Sequence, residues 1–132
     1  MGAWGNHNFD NDQAMDFVGD FIDNPSLESL VEVLTTVVDL GKDGEYIEVD
    51  EASAALAAAE IIAAVLKKPA VDFPAELQPV LASIHSTTII QKLARKAVKQ
   101  VLGKSELQEL WAEGGDSTGW QTIQEDLLNR LK

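Results

Sequence analysis

Between Ala52 and Ala64 the chain reads Ala-Ser-Ala-Ala-Leu-Ala-Ala-Ala-Glu-Ile-Ile-Ala-Ala, and no other stretch limits the fold so tightly. Alanine is the strongest helix former, so this run predicts a helix. Its methyl side chains also let neighbouring backbones come close from several sides. The segment is therefore expected to be the central helix of the molecule, running from Glu51 to Lys67, capped by Asp50 and ended by Pro69.

The remaining sequence supplies helices to place around it. Ala14, Phe17, Val18, Phe21 and Ile22 recur at helical spacing and predict a first helix, Asp12 to Asp23, with Asp10 or Asn11 as N-cap. Asn24-Pro25 opens a second helix through Leu27, Leu30, Val31, Leu34, Val37 and Val38 to Gly41. The segment Gly41 to Gly44 is a turn, and Glu45 to Val49 alternates briefly but has no partner strand, so it reads as loop. Pro74 starts a short helix to about Ser83, with Pro79 inside it. Ser86 begins a longer helix to Gly103. Ser105 with Gln108 forms a capping box for a helix to Trp111 or Glu113. Gly114 to Gly119 reads as a flexible connector and Trp120 to Leu131 as the last helix. The fold class predicted is all-α: one compact domain, residues 1 to 132, forming a bundle of about six or seven helices.

A length of 132 residues suits one domain with a core of its own. The absence of cysteine removes disulfides, thiol catalysis and Cys-ligated zinc, and fits a reducing compartment. No signal pattern or membrane-length apolar run is visible, so the expectation is a soluble, cytoplasmic protein without membrane partners. A net charge of -12 argues against binding nucleic acid, which needs Lys and Arg to neutralise phosphates. The charge is unevenly spread. Residues 1 to 66 carry a net -13, residues 67 to 105 a net +5, and residues 106 to 132 a net -4. A basic middle between acidic flanks suggests either intramolecular complementarity or a partner surface.

At the N-terminus, Met1-Gly-Ala-Trp-Gly5 places two glycines around an indole, and Phe9 follows just before the first helix. The pattern predicts an ordered Gly-Trp-Gly anchor in which Trp4 and Phe9 reach the core. With Asn11-Asp12, Ala14 and Asp16, this opening resembles that of a bacterial family, domain of unknown function 4259. Ala57-Ala-Ala-Glu60, Pro74-Ala-Glu-Leu77, Ser105-Glu-Leu107 and Glu109-Leu-Trp111 follow in the order that family shows, so the resemblance spans nearly the whole chain. Departures fall at Asn6-His7-Asn8, where small residues are commoner, and at Phe17, where an indole is usual. The resemblance implies a single bacterial domain and carries no activity, cofactor or ligand with it.

Asp12, Asp16, Asp20 and Asp23 fall opposite the apolar face of the first helix and are the candidate partner-binding residues. A solvated face, a metal-binding face and a surface that docks a basic protein are the three readings of that stripe. Lys92, Arg95, Lys96 and Lys99 form a stripe of the opposite sign on a later helix. Glu60 sits among alanines and isoleucines, so its carboxylate needs a partner, for which Arg95 or a backbone amide near the N-terminal loop are candidates, or must stay protonated in a pocket. His7 and His85 lack companions at metal-motif spacing, and Asp10-Asn-Asp12 lacks the glycine and glutamate of a calcium loop. Ser83, Ser86, Thr87 and Thr88 have no nucleophile elbow and read as caps. Trp111 and Trp120 read as core anchors. No complete catalytic, metal or cofactor motif is present, so the catalytic residues stay unassigned, and no cofactor or metal is expected. The sequence reads as a protein-binding module engaging a basic protein partner, resembling immunity or inhibitor proteins in size and charge, as a monomer or homodimer. The alternatives are a carboxylate-dependent hydrolase using Glu60 with Asp12 or Asp16, and a structural homo-oligomer.

Overall fold

The computed structural model describes residues 5–115 and 117–132. Their helices are α1 Asp12–Asp23, α2 Leu27–Lys42, α3 Val49–Val65, a 3-10 helix Ala75–Ser83, α4 Thr88–Gly103, α5 Glu106–Glu113 and α6 Ser117–Arg130. No strand occurs among the described residues. The alanine-rich segment is the centre: α3 packs against every other helix, and all its residues from Ala52 to Ala64 except Ala54 are buried. A helix touched from all sides has no polar face to give to water, which is why Glu60 is the only charged side chain in that stretch.

The ends of the helices differ from expectation where a tertiary contact or a competing cap decides. Asn24 closes α1, its amide donating to the Asp20 carbonyl, so Pro25 lies in the link and Ser26 caps α2, with Oγ accepting from Ser29 N at 3.2 Å. The N-cap of α3 is Glu48, not Asp50. Glu48 and Glu51 form a capping box, while Glu106 Oε1 accepts from Val49 N at 2.8 Å and Glu106 N donates to Ile47 O at 2.9 Å. Those bonds from α5 hold the chain at the start of α3 and lengthen it by a turn fraction that local propensity does not show. Thr87, not Ser86, caps α4. The expected connector Gly114 to Gly119 is shorter, because Ser117 to Gly119 join α6 ahead of the buried Trp120.

At the other end of α3, Lys67 adopts φ +69°, and Lys68 N donates to Ala63 O at 2.9 Å, closing the helix in a left-handed turn that glycine usually occupies. A side chain in this conformation costs about 1–2 kcal/mol, and the extra unfolded-state freedom of glycine returns about 0.5–1 kcal/mol of that. Lys67→Gly should therefore stabilise the protein by about 0.5–1 kcal/mol in urea titration, and a loss of stability would show that the Lys67 side chain itself supports the turn.

Candidate functional site

Among the described residues, three buried polar side chains, Asn8, Glu60 and Gln124, form one cluster. Glu60, on α3, is 2% exposed, and both carboxylate oxygens are engaged. Arg130 of α6 donates from Nη1 to Oε1 at 2.9 Å and from Nη2 to Oε2 at 3.3 Å, and Asn8 Nδ2 donates to Oε2 at 2.8 Å. Asn8 and Gln124 exchange two amide bonds, Asn8 Nδ2 to Gln124 Oε1 at 3.0 Å and Gln124 Nε2 to Asn8 Oδ1 at 2.7 Å. Arg130 also donates to Asp126 Oδ2 at 2.8 Å and to the Lys68 carbonyl at 3.2 Å. Burial alone would lower the guanidinium's pKa; its bonds and charge pairing with Glu60, then Asp126, outweigh that and hold it above the ordinary arginine value. The partners of Glu60 are thus the last helix and the N-terminal loop. Arg95, the basic side chain considered for it, instead donates to the Leu131 carbonyl at 2.8 Å.

This network ties three distant parts of the chain together. Asn8 is held in place because Phe9 beside it is buried and meets the Phe73 ring edge-on at 5.7 Å, and because Asn11 caps α1 by accepting from Ala14 N at 2.8 Å. The expected contribution of Trp4 lies outside the described residues. Beneath this loop is a cavity of about 10 Å³ lined by Asn8, Asn11, Ser53, Leu56, Trp111 and Trp120, far smaller than the roughly 300–1,000 Å³ of small-molecule pockets. Ser53 Oγ is buried there without a hydrogen-bond partner. Of the two indoles, Trp120 is buried in the core and Trp111 packs half-buried against it.

The charged stripes lie elsewhere. Asp12, Asp16, Asp20 and Asp23 are all exposed on the outer face of α1, and none of them makes an ion pair among the described residues. On α4, Lys92, Lys96 and Lys99 are exposed, whereas Arg95 is drawn inward. The structure does not bring Glu60 together with Asp12 or Asp16: the first is sealed and the other two face solvent.

Neither histidine acquires companions suited to chemistry. His7 Nδ1 stands 3.9 Å from Asp72 Oδ2 at the surface. His85 lines an open cleft with Lys67, Gln78 and Ser86, and no carboxylate there orients its ring. Thr87 caps α4, Ser83 Oγ donates to the Val80 carbonyl, and Ser86 Oγ donates to the Thr87 carbonyl. Among the described residues no group of three His, Asp or Glu is placed to hold a metal ion, and no helix is long and apolar enough to cross a membrane.

Compared with known families, residues 2–123 match the model of the family described as Domain of unknown function (DUF4259). Comparison with curated proteins and with solved structures gives no match.

Proposed function

We propose that this chain, which belongs to the DUF4259 family, is a protein-binding module that engages a basic partner through the carboxylate face of α1. The observation that carries the reading is the set Asp12, Asp16, Asp20 and Asp23: exposed, on one helix face, and without ion pairs among the described residues. Stacked like charges on a helix repel by a few tenths of a kcal/mol per pair, a cost that a cationic surface removes while it also gains electrostatic steering. Glu60 supports this reading from the other direction. Its two oxygens are committed to Arg130 and Asn8, so the acid in the most apolar setting serves the packing of α3 against α6 and the N-terminal loop.

The test is capture from the native cell with wild type and with Asp16→Asn/Asp20→Asn, followed by association kinetics on whatever protein the wild type retains. The substitutions should slow association by about tenfold at low salt, flatten its salt dependence and leave the melting temperature within a degree or two. An association rate unchanged by the double substitution would reject α1 as the docking face.

A further inference from the structure

We infer that a second copy of the chain docks on the outward faces of α2 and α4, forming a two-fold dimer in which the acidic ridge of each α2 meets the basic ridge of the other α4. This goes beyond the α1 reading and does not depend on it. The two helices pack on each other and both pack on α3, so their outward faces lie side by side on one surface. On α2, the ridge Leu27, Val31 and Thr35 borders Glu28, Glu32 and Asp39, and an open groove of about 460 Å³ runs between them. On α4, Ile89, Lys92, Lys96 and Lys99 follow one another along a single face. Ile89 is 79% exposed, one of few large apolar side chains so open to water. Charges of both signs therefore sit on adjacent helices, yet no ion pair among the described residues joins α2 to α4.

The register within one copy says how two copies would fit. The Gln100 side chain lies directly on the Gly41 backbone, where any Cβ would collide with it, and Val38 and Lys42 share a groove with Lys96, Lys99 and Gly103. The C-terminal turns of α2 and α4 are thus together, and the helices run in the same direction. Counting back from the Gly41 and Gln100 contact, Asp39 stands level with Val98 and Glu32 level with Gln91, each one position from a lysine, Lys99 and Lys92. A two-fold axis lying along the helices between them keeps every residue at its own level and exchanges α2 for α4. It therefore sets Asp39 beside the second copy's Lys99, Glu32 beside its Lys92, and the Leu27 and Val31 ridge beside its Ile89, and each contact occurs twice. An axis across the helices would instead place acid on acid, so the charge pattern selects the first arrangement.

Light scattering on the purified chain at low salt should give a mass of about twice 14.3 kDa, falling toward one chain as sodium chloride is raised. Glu32→Lys/Asp39→Lys and Lys92→Glu/Lys99→Glu change exposed positions and should each give a folded monomer by circular dichroism. Mixed in equal amounts, the two variants should recover the dimer mass, because every reversed ridge then meets its complement. A wild type that stays monomeric at millimolar concentration, a dimer indifferent to both variants, or a mixture that stays monomeric would each overturn the proposal. Because none of these variants alters α1, such a failure leaves the partner reading to be judged by its own kinetics.

Discussion

Glu60→Ala is expected to lower the free energy of unfolding by about 3–5 kcal/mol, because removing one partner of a buried ion pair leaves the other charge without compensation. Arg130 would keep Asp126 and the Lys68 carbonyl, but Asp126 is largely exposed, and screening by water limits what it can return. Asn8 would also lose one of its acceptors, loosening the amide pair with Gln124. Glu60→Gln keeps the shape and one carbonyl oxygen, so a smaller loss of about 1.5–3 kcal/mol is expected from the missing charge-assisted bonds. Asp126→Ala, at the surface end of the same arginine, should cost no more than about 0.5 kcal/mol. Urea denaturation of the three variants checks the order. If Glu60→Ala proved as mild as Asp126→Ala, the cluster would not be a support of the fold, and Glu60 would be open to another role.

Much of this architecture is legible in the sequence because helical periodicity and caps are local. The alanine run had to be surrounded, and α3 is. The error at the start of α3 has a tertiary cause: Glu106 reaches across from α5 to hold Val49, and no local rule contains that bond. The partners of Glu60 were harder. An acid among alanines announces that it needs a partner, but not which one, and Asn8 and Arg130 lie 52 and 70 positions away in sequence. One signal was available. Trp120, Gln124, Leu127 and Leu131 share a face of the last helix, and a glutamine in an otherwise apolar stripe marks a buried amide in search of an acceptor. The outward stripes were readable as patterns, whereas the neighbouring placement of α2 and α4, on which their complementarity rests, is set by packing on α3.

Trp120→Ala should be about as damaging as Glu60→Ala, by a different route. The indole is 2% exposed, and truncating a buried tryptophan typically costs about 3–5 kcal/mol through lost burial and the hollow left behind. For a domain of this size that corresponds to a melting temperature lower by roughly 10–20 °C. The hollow would open onto the small cavity beneath the N-terminal loop, where Ser53 already lacks a partner and Asn8 begins the polar cluster. Trp120 also lies one helical turn before Gln124, so its loss should slacken the α6 backbone that presents Gln124 and Arg130. The two largest effects should therefore not add: Glu60→Ala/Trp120→Ala is expected to cost at least about 0.5 kcal/mol less than the sum of the single losses. Trp111→Ala, which removes a half-buried ring from the same cavity wall, should cost clearly less than Trp120→Ala. Thermal and urea unfolding of the singles and the double measure all of these. Strict additivity would mean that the indole and the carboxylate hold separate parts of the fold, contrary to the shared helix that joins them.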